Sequence, residues 1–272
     1  MTHNIGIALS GGGTRGIAHI GVLQALEEIG VYPDVISGTS AGALVGSLYA
    51  FGMKPLDILQ VFKDSSLRKL FRVSMPTVGL TDNSYLREVM EEIIGEDSFN
   101  ALKKPMYISV TNLSQGGVEI ISEGKLFDVA VASASIPILF KSVRIGEDVY
   151  ADGGLMNNLP VEPLIEHCDR VIGVNVTPVD HEARLGNLLE IGSRVFELSL
   201  WANVESRLQQ CDIRIEPHAD QFGIFELSKA QDIYDVGYEK TMSCKDHILS
   251  SLATQSPSTG TQFREWWARF GR

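Results

Sequence analysis

Short apolar runs and stretches with helical spacing alternate along this chain. Ile5-Gly6-Ile7-Ala8-Leu9 has the length and character of a buried strand. A glycine loop follows, then Ile17–Ile29, where Ile17, Ile20, Leu23 and Ile29 mark a helix and Gly30 a C-terminal stop. Asp34-Val35-Ile36-Ser37 repeats the strand. Ala43–Phe51 repeats the helix, and Gly42, Ala43, Gly46, Ser47 and Ala50 are small enough to let it lie close to a sheet. Strand, loop and helix, twice over, predict parallel strands joined by right-handed crossovers.

Farther along, Met106–Val110 and Val118–Ser122 flank Ser114-Gln115-Gly116-Gly117 and read as a hairpin. Leu126–Ser135 reads as a helix ended by Pro137. Val143–Tyr150 reads as a second hairpin turning at Gly146-Glu147-Asp148. Arg170–Val176 is a late strand, Asn187–Gln210 a long helix, Ile213–Ile215 a short strand and Ser228–Leu252 a last helical stretch. No internal repeat interrupts the series. The pattern predicts an α/β fold with a mostly parallel central sheet and helices on both faces. One domain is expected over residues 1–252. Residues 253–272 are expected to form a flexible Ser/Thr/Gly/Pro-rich linker and an aromatic, basic tail, Phe263–Arg272.

Composition narrows the function classes. The 272 residues are enough to bury a large core, and the 44% hydrophobic and 21% charged content is that of a soluble globular domain. A net charge of −11 argues against a nucleic-acid partner, which needs a basic face, and against attraction of the whole molecule to anionic lipid. Three distant cysteines, Cys168, Cys211 and Cys244, indicate neither a disulfide framework nor a zinc site. The start has no basic region or long apolar run, and no apolar span reaches 18 residues, so a cytoplasmic location is expected.

Two stretches bear chemistry. Gly38-Thr39-Ser40-Ala41-Gly42 has the form G-x-S-x-G between an apolar strand and a small-residue helix. That context can hold an exposed serine on a sharp strand-to-helix turn, with the Ala41 N–H beside it, although a tight turn without chemistry uses the same residues. Upstream, the N–H groups of Gly11, Gly12 and Gly13 are candidates for an oxyanion hole. Arg15 is a candidate for holding an anionic substrate group, or else a surface ion-pair partner. Gly11-x-Gly13-x-x-Gly16 also satisfies the dinucleotide fingerprint. That reading needs an acid at the end of the next strand, where Ser37-Gly38-Thr39-Ser40 stands instead; Asp34 lies at its start. A serine nucleophile needs a base. None of the six histidines (His3, His19, His167, His181, His218 and His247) sits in a recognisable loop motif, and His19 reads as a packed or surface residue. Asp152 in Tyr150-Ala151-Asp152-Gly153-Gly154 is the better candidate, and taken alone it also reads as a plain D-G turn.

In order, G-G-G-x-R-G at Gly11–Gly16, G-x-S-x-G at Gly38–Gly42 and D-G-G at Asp152–Gly154 resemble the patatin-like phospholipases, the short single-domain bacterial members most closely. Ala132-Ser133-Ala134-Ser135-Ile136-Pro137 is similar to that family's A-S-x-x-x-P block. The resemblance spans about residues 5 to 180. It implies a modified α/β-hydrolase-like sandwich, a Ser40–Asp152 dyad without histidine, an oxyanion hole at Gly11–Gly13, and no metal or cofactor. The implied activity is that of a serine lipid acyl hydrolase acting on phospholipid or lysophospholipid. An acyltransferase on the same dyad and a non-catalytic regulator are the alternatives. Peripheral membrane contact is an expectation attached to two segments. Phe62–Arg72 mixes Phe62, Leu67, Leu70 and Phe71 with Lys63, Arg68, Lys69 and Arg72, and reads as a lid, an interfacial helix or a plain surface helix. Phe263–Arg272 suits a headgroup interface or docking on protein. Oligomeric state is not readable from the sequence.

Overall fold

The computed structural model describes residues 4–63, 84–137, 139–177, 186 and 188–253. Its strands are β1 (Ile5–Leu9), β2 (Val35–Thr39), β3 (Met106–Asn112), β4 (Gly117–Ile121), β5 (Val143–Ile145), β6 (Asp148–Asp152), β7 (Arg170–Val174) and β8 (Ile213–Ile215). They form one mixed sheet in the order β5-β6-β3-β2-β1-β7-β8, with β4 also on β3. The run from β3 to β8 is parallel; β4, β5 and β6 are antiparallel additions at one end.

Alternation along β1 explains the layering. Ile7 and Leu9 face a large core shared with α1 (Ile17–Glu28), α2 (Ala41–Phe51), α3 (Pro55–Lys63), α4 (Ser84–Ile94) and α5 (Leu126–Ser133). Ala8 faces the opposite side, where α6 (Glu162–His167) and the end of α7 (Leu188–Leu208) pack through Leu164, Ile165, Val204 and Leu208. Helices therefore cover both faces, as the pattern predicts. Nearly all of α1 is buried, because the sheet lies on one side of it and α8 (Ala230–Ser243) on the other.

The last helical stretch differs from the expectation. It is a 3₁₀ turn at Leu227–Lys229, then α8, then α9 (Lys245–Ala253), with Cys244 leaving helical geometry between them. The bend lets Ile248 reach the large core, where it is fully buried. Helix α5 stops at Ser133, before the predicted end at Ser135, and Ala134 turns out of the helix. Residues 64–72 of the predicted basic segment, most of the linker and the whole tail lie outside the described residues.

Strand β3 brings distant parts of the chain together. Its residues Val110, Thr111 and Asn112 pair with both β4 and β6, so those strands lie on opposite edges. Ile108 and Ser109 pair with both β4 and β2. Strands β2 and β6 therefore share one edge of β3 and meet end to end. Thr39 stands opposite Ser109, and Asp152 opposite Val110, the next residue. Whatever follows Thr39 is delivered to the end of β6.

Candidate active site

Ser40 follows Thr39, and it is the only non-glycine residue with positive φ among the described residues, at φ 53° and ψ −123°. A serine held there stores about 1–3 kcal/mol of backbone strain. Helix α2 begins at the next residue, so the Ala41 N–H heads the helix without an intrahelical partner. The turn closes only because Gly42 has no side chain: a Cβ there would stand 2.3 Å from the Leu9 carbonyl oxygen at the end of β1. The strand-to-helix elbow anticipated from the motif is present.

Asp152, the last residue of β6, is fully buried. Its Oδ1 accepts the Gly154 N–H at 2.8 Å. Burial raises its pKa to about 7, and the Ser40 hydroxyl and the Gly154 N–H each pull it back. Oδ2 accepts no hydrogen bond of full geometry from Ser40 or any other group among the described residues. The carboxylate is thus held at one oxygen, and Asp152 lines the same cavity as Ser40.

The glycine loop lines that cavity too, and the structure separates its three members. The Gly11 N–H is engaged by Asn158, 3.0 Å from Oδ1 and 3.3 Å from the backbone oxygen. These bonds tie Gly11, one of the three expected oxyanion-hole members, to Asn158. The N–H groups of Gly12 and Gly13 make no hydrogen bond among the described residues. Gly13 has φ +58°, and a Cβ there would stand 2.4 Å from the Ile224 oxygen. Arg15, expected either to hold an anionic substrate group or to form an ion pair, is engaged within the protein. Its guanidinium donates to the Phe222 oxygen at 2.7 Å and lies 3.5 Å from Glu197, tying the loop to its surroundings. Thr14 adds bonds to Ile224 and Gly223, both at 2.9 Å.

No described histidine lines the cavity. His19 lies beneath the loop, fully buried, with Nε2 2.8 Å from the Ser10 oxygen, and burial lowers its pKa to about 4, so it is neutral. His3 and His181 are outside the described residues. Ile136, Asn158, Thr177, Glu197, Leu200 and Ile224 complete the lining, and the free space is about 10 Å³, room for roughly one water.

Several supporting residues escaped the motif reading. Thr39 donates to the Asn157 oxygen at 2.9 Å, Thr111 to the Asp152 oxygen at 2.8 Å, and Asn203 accepts the Asn158 N–H at 2.7 Å. Asn203 also donates to the Gly154 oxygen at 2.8 Å, fastening α7 to the D-G-G turn. Asn157-Asn158, so soon after D-G-G, was the available signal.

A serine in a strained elbow, a buried carboxyl and a glycine loop line one cavity, and a decisive match accompanies them. The family model described as patatin-like phospholipase covers residues 7–165, more than half of the chain. The chain belongs to the patatin-like phospholipase family. This patatin-like chain is also similar to curated proteins. It is 27% identical over 271 residues to lysophospholipase nte1 of Aspergillus fumigatus, covering 86% of this chain and 18% of that protein. It is 28% identical to lysophospholipase NTE1 of Saccharomyces cerevisiae, covering 86% and 16%. It spans less than a fifth of these relatives' length. Among solved structures, VipD from Legionella pneumophila superposes with a TM-score of 0.53 at 17% identity, over 90% of this chain and 67% of that one. Human GIVD cytosolic phospholipase A2 gives 0.50 at 13%, over 96% and 59%. These likenesses bear on the patatin-like fold. None of the described helices is long and apolar enough to cross a membrane.

Proposed function

We propose that this chain is a serine lipid acyl hydrolase of phospholipase A, lysophospholipase or esterase type, with Ser40 as nucleophile and Asp152 as its base. One observation carries the reading: a strained serine elbow meets, at the end of a neighbouring strand, a buried carboxyl whose pKa lies near 7. A carboxylate at its ordinary pKa is a poor base for a serine hydroxyl, and burial narrows that gap. Family membership and the lysophospholipase names of the relatives support an acyl lipid as substrate.

In this reading Asp152 Oδ2 takes the Ser40 proton as Oγ attacks the ester carbonyl. The N–H groups of Gly12 and Gly13, rather than Gly11, receive the oxyanion of the tetrahedral intermediate. The start of α2, with the Ala41 N–H, adds its positive end. The alcohol or lysolipid leaves with the proton from Asp152. Water, deprotonated by Asp152 in turn, then releases the fatty acid. Because the substrate resides in a membrane or micelle, the reading includes peripheral contact with a lipid surface.

The test is hydrolysis of p-nitrophenyl esters of graded chain length and fatty-acid release from lysophosphatidylcholine. Wild type is expected to turn over. Asp152→Asn should lose about 10²- to 10⁴-fold in kcat, and Ser40→Ala at least as much, with both folded by circular dichroism. Full activity in Ser40→Ala would sink the dyad.

A further inference from the structure

The segment from Ser133 to Ser135 touches both members of the dyad. Ser40 N–H donates to Ser133 Oγ at 2.8 Å, and Ser133 Oγ donates to the Ser109 oxygen at 2.7 Å. Two residues on, the Ser135 oxygen accepts the Asp152 N–H at 2.9 Å. Ser133, Ser135 and Asp152 are all fully buried. The need for a hydroxyl at Ser133 follows from the register. The β2–β3 ladder ends at the Thr39–Ser109 pair. Beyond it the chain turns sharply into positive φ, so the Ser40 N–H would be left buried without a ladder partner. Ser133 Oγ stands between that N–H and the Ser109 oxygen and continues the ladder by one step, accepting from one side and donating to the other.

We propose, resting on the dyad reading above, that Ser133 is a positioning residue that fixes the Ser40 backbone in its reactive turn, and that residues 133–135 set the separation of nucleophile and base. Ser133 acts through Ser40 and does not meet the substrate. The A-S-x-x-x-P block thereby acquires a physical role: its serine holds the nucleophile's amide and the next turn holds the base's. Removing the hydroxyl leaves the Ser40 N–H and the Ser109 oxygen unmatched. The elbow then relaxes, and Oγ loses its alignment with both Asp152 and the glycine loop.

The experiment measures the rate at which a fluorophosphonate probe labels Ser40, located by mass spectrometry, beside kcat and KM on a short-chain p-nitrophenyl ester. Labelling of wild type at Ser40, absent in Ser40→Ala, tests the dyad reading independently of the clamp. With that in hand, Ser133→Ala is expected to lower the labelling rate and kcat together by about 10- to 100-fold, with KM within about twofold. The midpoint of its pH profile should move by less than a unit, and upward, because burial and the Gly154 N–H still act on Asp152 and only the pull of the Ser40 hydroxyl weakens. Ser133→Cys, close in size with a weak donor and acceptor, should recover part of the rate. It also serves as the second variant if Ser133→Ala does not fold. Overturning results are a labelling rate within twofold of wild type in Ser133→Ala, a Ser133→Cys rate no higher than that of Ser133→Ala, or a pH midpoint displaced by a unit or more, which would place the effect on Asp152 instead.

Discussion

In the proposed reading, Asp152 combines a functional requirement with a cost in stability. Its carboxyl has an ordinary pKa of 3.8 and is raised to about 7 by burial. The native state therefore holds a proton that the unfolded state releases between about pH 4 and pH 7. Stability from this group falls as pH rises through that window, and the loss is complete above pH 7. At 1.36 kcal/mol per unit the ceiling is about 4 kcal/mol. Asp152→Asn should accordingly be more stable than wild type at pH 8, with the gap closing towards pH 4, as thermal melts at both pH values will show. Activity runs the other way. In the proposed role the carboxyl works only when ionised, so kcat should rise with pH through a midpoint near 7, and a flat profile between pH 5 and 8 would count against Asp152. Gain of stability with loss of turnover in one variant is the mark of a residue kept for chemistry. Arg15 is a contrasting case. Bonded to Phe222 and Glu197, it should affect stability and loop order when replaced by Ala, with little dependence on the charge of the substrate head group.

At the scale of elements, the junction of β1 with the start of α2 is the least tolerant contact. Gly42→Ala would set a methyl 2.3 Å from the Leu9 oxygen, which backbone movement alone can relieve. A loss of about 1–3 kcal/mol or more in urea unfolding is expected, together with loss of activity, because the same movement displaces Ser40. The strand, loop and helix pairs around this junction were legible in the sequence because their periods are clean and the glycines punctuate them. Helices α3, α4 and α6 were not read. The six residues of α6 are too few to show a period, and α3 and α4 flank a segment whose mixed charge and apolar positions drew attention to its surface chemistry instead. The break at Cys244 had no Gly or Pro to announce it. In the site, Ser40 and Asp152 were legible because sharp motifs surround them. The different bonding of Gly11 from that of Gly12 and Gly13 was not, since it depends on Asn158, which reaches the loop only through the fold. Ser133 was visible as part of a block, but its partner is a main-chain N–H, which no side-chain motif reveals.

For the whole molecule, the proposed reading requires side chains to move if an acyl chain is to enter the small cavity that the described residues form over Ser40. Leu200 of α7 closes over Gly154, its Cδ2 lying 2.2 Å from where a Cβ on that residue would stand. Leu200→Ala should enlarge the cavity and raise kcat/KM for long-chain esters relative to short ones, at a cost of about 2–5 kcal/mol in stability. Unchanged chain-length preference would place the acyl path elsewhere. The meeting of β2 and β6 on one edge of β3 also has a temporal meaning. During synthesis the serine elbow and the glycine loop emerge early, whereas Asp152 arrives only after β3 is made and the β5–β6 hairpin has formed to dock on it. Closing so long a stretch of chain is slow compared with forming local helices. On refolding from denaturant, ester hydrolysis should therefore return in the slowest phase, after the helical signal. On the proposed reading, a nascent chain would carry its nucleophile without a base, and would leave surrounding lipid untouched until the sheet is complete.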